Sequence, residues 1–311
     1  MASSFEIIIH PGMSKTATTF LQKFCFSNLD DVHNIFKPNF INDQRLVDIR
    51  ESLMNKEGHD YKLIKIKSDF NKILQNLSVS KKKILLSEEN LTIDSTKTNL
   101  IAKRLKDIFP SAKIFFTLRE QYSWLISIYY SWLPRDDIRR NSPMSSLTQW
   151  LEFQLNQQKL GLNNVIDRVN FYETLICYEK LFGKENVHVV LYEDFIENPE
   201  FFFSQISNIV GIPKKQMLNN YFLNSKKNPR KRISYIRAKY FQSRFYPILS
   251  DLWSLCPQFL KNYVRPKINK KSANEEVNNK LKDILAIKFS KSNSYLSKKM
   301  DRDLSLIGYK Y

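Results

Sequence analysis

Glycine is scarce in this chain, with six residues in 311, at positions 12, 58, 161, 183, 211 and 308. That scatter excludes the three closely spaced glycines of a dinucleotide-binding turn. It also excludes an ordinary Walker A loop, which needs a glycine just before Lys-Ser/Thr so that the backbone can wrap a β-phosphate. Lys15 follows Ser14 with only Gly12 before it, and Gly183-Lys184-Glu185 lacks the hydroxyl. Cysteine is rarer: Cys25, Cys177 and Cys256 are far apart and odd in number, which argues against a disulfide framework. The four histidines, at 10, 33, 59 and 188, are dispersed, and no Cys/His spacing suggests a metal site. No segment approaches the ~20 apolar residues of a membrane span. The start, Met-Ala-Ser-Ser-Phe-Glu, carries no basic region ahead of its isoleucines, so no secretory signal is expected. A soluble protein of a reducing compartment, the cytoplasm, is the expectation.

Hydrophobic residues make up 42% of the chain and aromatics 13%, the composition of a globular protein with a sizeable core. The net charge of +18 is uneven: from Lys214 onward there are 23 Lys and Arg against 6 Asp and Glu, a surplus of 17, which leaves +1 for the rest. A basic C-terminal third implies an anionic partner, whether nucleic acid, an acidic membrane surface, a polyanionic glycan or a nucleotide, or else a solubilising face. Charge alone does not choose among these.

Apolar runs and helical patterns alternate along the chain. Phe5–Ile9 reads as a strand, Lys83–Ser87 as a buried strand, and Val187–Tyr192 as another. Ala112–Leu118 is the strongest, apolar on both faces as a parallel sheet requires. Helices are predicted near 96–109, 121–133, 146–156, 165–182 and 198–210, the last stopped by Gly211 and Pro213. Residues 28–60 read as irregular, with a weak helical pattern near Arg45–Leu53, and Tyr61–Ile66 alternates apolar and basic residues. Pro134–Pro143 is a charged connection, a lid or substrate-loop candidate. The expected fold is α/β: a P-loop-like central parallel sheet flanked by helices, with a helical basic C-terminal extension. One domain over 1–311 is expected, with the α/β core at 1–213 and the extension at 214–311.

The first twenty residues carry the chemistry. An apolar strand meets His10-Pro11-Gly12-Met13-Ser14, and Lys15-Thr16-Ala17-Thr18-Thr19 opens an amphipathic helix. First-turn N–H groups have no intrahelical partner, the helix dipole favours an anion, and Lys and Thr add charge and hydrogen bonds. A nucleotide-phosphate site fits this turn. A helix start that threonines merely cap is the plain alternative.

The turn resembles the 5′-phosphosulfate loop of sulfotransferases that use 3′-phosphoadenosine-5′-phosphosulfate (PAPS), with Ala17 where that family usually has glycine. A second match is Ile114–Leu118 ending in Arg119, then Ser127 eight residues later and Tyr129-Tyr130, similar to the family's 3′-phosphate motif. Leu191–Phe195 with Asn198-Pro199 and Gly211-Ile212-Pro213 resembles its Tyr-Glu-Asp segment. The tail around Ser292-Asn293, Asp303-Leu304 and Gly308-Tyr309 resembles that of bacterial, carbohydrate-type members. Residues 28–60 and 134–185 match nothing in the family.

The resemblance implies sulfuryl transfer from PAPS to a hydroxyl of a carbohydrate or glycoconjugate, leaving adenosine 3′,5′-bisphosphate (PAP), with no metal. It implies that Gly12, Ser14, Lys15, Thr16, Ala17, Thr18 and Thr19 hold the 5′-phosphate end, with Lys15 catalytic at the bridging oxygen. Arg119 and Ser127 would take the 3′-phosphate, Tyr192 would lie near the adenine, and residues of Lys226–Arg232, chiefly Lys227 and Arg230, would close over the nucleotide. Glu89, in Ser87-Glu88-Glu89-Asn90, aligns with a family glutamate and is the expected general base, with Glu88 and His10 as rivals. Alternative readings are a small-molecule kinase with a degenerate P-loop and a non-enzymatic polyanion binder. No nucleic-acid fold signature is present, no membrane span is expected, and peripheral membrane contact stays open.

Overall fold

The computed structural model describes residues 5–27, 29–36, 44–54, 62–77, 82–132, 146–224, 277 and 279–310. Its centre is a five-stranded sheet built from Glu6–His10 (β1), Val32–Phe36 (β2), Lys83–Ser87 (β3), Lys113–Leu118 (β4) and Val187–Leu191 (β5). The strand order is β2-β3-β1-β4-β5, and every neighbouring pair is parallel. The expected sheet is therefore present, and it places β1 and β4 side by side. Register sets His10 opposite Ser87 and Ile9 opposite Ile114.

Helices cover the sheet as a parallel sheet demands. Thr18–Phe20 (α1) continues as a π-helical stretch over Leu21–Phe26, and the next helices are Gln44–Met54 (α2), Leu63–Gln75 (α3) and Thr98–Ile108 (α4). Gln121–Trp132 (α5), Leu147–Lys159 (α6), Val165–Arg168 (α7) and Phe171–Phe182 (α8) follow β4. Tyr192–Glu197 (α9), Pro199–Val210 (α10), Lys214–Asn224 (α11) and Asn279–Met300 (α12) follow β5. Alternate strand residues feed opposite layers, the period of two expected of a strand. Phe115 and Val190 join Ile8, Leu85, Phe20, Phe202, Phe203 and Ile206 in one buried cluster. Phe116 instead meets the Tyr178 ring edge-on, with centroids 5.1 Å apart.

The chain divides into two compact units. One comprises Met1–Glu120, Asn163–Asn228 and Phe289–Tyr311, and holds the whole sheet. The other comprises Gln121–Leu162 and Pro229–Lys288. Within the second, Tyr129 of α5 packs its ring 5.5 Å from Trp150 of α6, and Trp124 and Trp150 are fully buried.

Local expectations fail in instructive places. The stretch read as irregular contains strand β2, on the sheet edge beside β3. The alternation over Tyr61–Ile66 does not continue, because Ile66, Phe70 and Ile73 recur at helical spacing and are the residues α3 buries. The first helix starts at Thr18 and not at Lys15. Tyr192 opens α9 and does not close β5. The lid candidate at 134–143 lies outside the described residues.

Candidate active site

The carboxyl ends of the strands form the candidate site. From β1 the chain moves toward β2 at one edge, and from β4 toward β5 at the other, so the crevice between them is a topological switch point, where α/β sheets bind ligands. Three turns converge there. The 11–17 turn leaves β1, Glu88-Glu89 leaves β3, and Arg119 leaves β4. Backbone hydrogen bonds tie them together: Glu88 N–H donates to His10 O (3.0 Å), Met13 N–H to Thr117 O (2.9 Å), and Thr117 N–H to Gly12 O (2.8 Å).

The turn after β1 is built on left-handed backbone. Gly12 has φ 104°, Lys15 66° and Ala17 65°. A side chain at Gly12 would stand 3.3 Å from the Glu89 Cα, so glycine lets the two turns close up. Left-handed residues interleaved in a turn swing successive N–H groups toward a common point, a nest suited to an anion. Lys15 and Thr19 are exposed and Ser14 is half-buried, so these side chains reach solvent at the turn. Thr16 and Thr18 differ from the expectation of phosphate ligands. Thr16 is fully buried and its hydroxyl donates to Met13 O (2.5 Å). The Thr18 hydroxyl donates to Glu89 Oε2 (2.5 Å).

Beneath the turn lies a chain of buried polar groups whose proton order follows from its end points. Gln22 Nε2 donates to Ser87 Oγ (3.0 Å), and Ser87 Oγ is 2.8 Å from His10 Nδ1. His10 Nε2 is 3.0 Å from Thr117 Oγ1, which is 2.6 Å from Thr16 Oγ1. Because the one Thr16 proton goes to Met13 O, Thr117 must donate to Thr16, and His10 Nε2–H must donate to Thr117. Burial holds the His10 pKa down at about 3, so the ring is neutral, and with its proton on Nε2 it accepts at Nδ1 from the Ser87 hydroxyl. Its ring stacks on Phe115 with centroids 4.5 Å apart. With no exposed surface and both nitrogens committed to the protein, His10 has no lone pair for a substrate, which corrects its candidacy as a base.

The two glutamates after β3 separate in role. Glu88 is buried, and its Oε1 accepts Asn90 N–H (3.0 Å), capping the short turn Glu89–Thr92. Glu89 is only half-buried and meets the start of α1 through Thr18. Thr92 Oγ1 lies within hydrogen-bond distance of Glu89 O (3.1 Å) and Pro11 O (3.2 Å), holding the two turns in register. Arg168, which nothing in the sequence pattern singled out, sits close by. Its Nε donates to Thr92 O (3.2 Å), and burial pushes its pKa down to about 10 against the opposing pull of Glu89 and Asp94.

Arg119 stands at the end of β4, as expected, and meets the Lys15 turn. Its Nη1 donates to Lys15 O (3.4 Å), and its guanidinium lies over the Tyr192 ring, 4.6 Å from the centroid. Tyr192 is therefore the platform for a cation. Beyond it, the Glu193 carboxylate accepts Glu120 N–H (3.0 Å) and the Tyr309 hydroxyl (3.3 Å). Burial raises the pKa of Glu193, and it raises that of Tyr309 far above its usual value.

No family model matches the chain, and no curated protein matches it. Among solved structures it is similar to the sulfotransferase from Alicyclobacillus acidocaldarius, with a TM-score of 0.57 at 15% identity, over 98% of this chain and 99% of that one. The fold is that of a sulfotransferase. Looser likenesses are to the sulfotransferase domain from the curacin biosynthetic pathway (TM-score 0.42, 15% identity, 70% of this chain and 79% of that one) and to mouse sulfotransferase SULT7A1 complexed with PAP (0.40, 14%, 87% and 92%).

Within this fold, Gly12, Ser14, Lys15, Ala17 and Thr19 lie on or just after the turn that follows β1, Arg119 meets that turn at Lys15 and Tyr192 by its ring, and Glu89 packs against Gly12. Ser127 is half-buried on α5, in the second unit. Lys227 and Arg230 lie outside the described residues. Among the described residues no cluster of His, Cys, Asp and Glu could hold a metal ion, and no helix is long and apolar enough to cross a membrane.

Proposed function

We propose that this chain is a sulfotransferase that moves the sulfuryl group of PAPS to a hydroxyl of a carbohydrate or glycoconjugate. One observation carries the reading: the turn after β1 and the arginine after β4 meet at the switch point, Arg119 donating to the Lys15 backbone carbonyl within the nest of left-handed residues. Such a pairing suits a ligand with a phosphate at each end. The residues fit it chemically as well. Lys15 and Thr19 are exposed, and the planar guanidinium of Arg119, lying on the Tyr192 ring, is the kind of group that binds phosphate bidentately.

When bound, PAPS supplies the sulfuryl group. The N–H groups from Lys15 to Thr19 and the Thr19 hydroxyl bind its 5′-phosphate end, and the Lys15 ammonium balances charge at the bridging oxygen. Arg119 binds the 3′-phosphate, the role that the resemblance also gives Ser127, Lys227 and Arg230. Glu89 takes the acceptor proton at its carboxylate, oriented by the Thr18 hydroxyl on Oε2. Catalysis of this kind is positioning and charge stabilisation. The acceptor class rests on the tail's resemblance to carbohydrate-type members and on the +17 surplus after residue 213. A cytoplasmic location accords with the odd, scattered cysteines.

The test is transfer of labelled sulfate from PAPS across a panel of glycan acceptors. Transfer should fall about 10²–10³-fold in Lys15→Ala, the loss typical of a charge-stabilising donor. Glu89→Gln should cost about 10²–10⁴-fold, typical of a general base. Full activity in both variants, or phosphoryl transfer from ATP with magnesium in place of sulfuryl transfer, contradicts the reading.

A further inference from the structure

The C-terminal tail ends against the residues that hold Arg119. Glu120, the next residue after Arg119, donates its N–H to Glu193 Oε1 at 3.0 Å, and the Tyr309 hydroxyl donates to the other oxygen, Oε2, at 3.3 Å. Tyr192, just before Glu193, carries the Arg119 guanidinium on its ring. Asp194, just after it, receives Arg302 Nη1 on both oxygens, at 2.7 and 2.9 Å. Three consecutive residues of α9 therefore engage Arg119, the backbone after it, and the tail.

We infer that the tail is part of the nucleotide site: Tyr309 fixes Glu193, Glu193 fixes the backbone behind Arg119, and the tail thereby sets where that guanidinium stands. The inference rests on the nucleotide reading above. A tail packed for stability alone needs only apolar anchors, and Leu296 and Leu304 already provide them, both fully buried. Tyr309 instead buries a phenol against a half-buried carboxylate, an arrangement that costs free energy unless each group is paired. Burial keeps Tyr309 protonated, so it serves Glu193 as a donor. Its backbone is held on both sides, by Tyr309 N–H to Leu304 O (3.2 Å) and by Asn293 Nδ2 to Lys310 O (2.6 Å). Tyr309 is a positioning residue, 116 residues from the carboxylate it holds.

The experiment is calorimetric titration of the full chain with PAP and with adenosine 5′-monophosphate, which lacks the 3′-phosphate. Tyr309→Phe should weaken PAP about fivefold, leave the monophosphate unchanged, and have no further effect in an Arg119→Ala background. Equal weakening of both nucleotides, an unchanged PAP affinity, or additivity with Arg119→Ala overturns the inference. Wild-type protein that does not prefer PAP to the monophosphate overturns the nucleotide reading instead. The NMR ring-current shift of the Arg119 side chain by Tyr192 then decides the tail's role separately: it supports the inference if Tyr309→Phe reduces the shift and refutes it if the shift is unchanged.

Discussion

At the scale of single residues, Ala17 shows how far residue type informs. Alanine looks harmless at a helix start. In the fold, however, Ala17 is the N-cap at φ 65°, ψ 13°, where a Cβ crowds the following carbonyl and costs about 1–2 kcal/mol. Glycine, the residue the resembling family uses there, adopts that backbone without strain but loses more freedom on folding. Ala17→Gly should therefore raise stability by about 0.5–1 kcal/mol, read from the midpoint of a denaturant transition. Lys15 and Arg119 were legible because each follows an unmistakable strand. The inward turn of the Thr16 hydroxyl was not, because a threonine's direction depends on a backbone that neighbouring strands impose.

His10 supplies a second residue-scale prediction. Burial holds its pKa at about 3, below the ordinary 6.5, so between those values the unfolded chain binds the extra proton. Stability should therefore be complete above pH 6.5 and fall as pH drops toward 3, by about 1.4 kcal/mol per pH unit for this one proton. His10→Gln should flatten that slope in a pH series of thermal unfolding. An unchanged slope contradicts the assignment of a neutral, doubly bonded imidazole.

At the scale of elements, the polar chain from Gln22 to Met13 matters because it crosses β3, β1 and β4 and ends in the 11–17 turn. Thr117→Val preserves the shape of β4 and its strand propensity but removes the link. The His10 N–H is left without its acceptor and Thr16 without its donor. A loss of about 2–3 kcal/mol is expected by chemical denaturation. Elements were legible where burial is two-sided, as in Ile114-Phe115-Phe116-Thr117-Leu118. They were obscured at the sheet edge, where Val32-His33-Asn34-Ile35-Phe36 mixes polar residues into a strand with only one neighbour. In α3, six residues of chance alternation masked a helix that only the longer spacing of Ile66, Phe70 and Ile73 reveals.

At the scale of the whole molecule, strand order is what turns separate motifs into a site. β1 and β4 are separated by more than 100 residues of sequence, yet they lie adjacent in the sheet, so the turn after one faces the arginine after the other. Sequence pattern predicted both motifs and a parallel sheet. It could not pair Glu193 with Tyr309, since a contact across 116 residues leaves no local periodicity to read. The central claim is that one crevice grips both phosphates of a single nucleotide, and its most direct measurement compares PAP with adenosine 5′-monophosphate by calorimetry in wild-type and Arg119→Ala proteins. The account predicts that the wild type binds PAP about a hundredfold more tightly, the order of two charge-assisted hydrogen bonds, and that Arg119→Ala removes most of that gap. A gap that persists without Arg119, or no gap in the wild type, would contradict it.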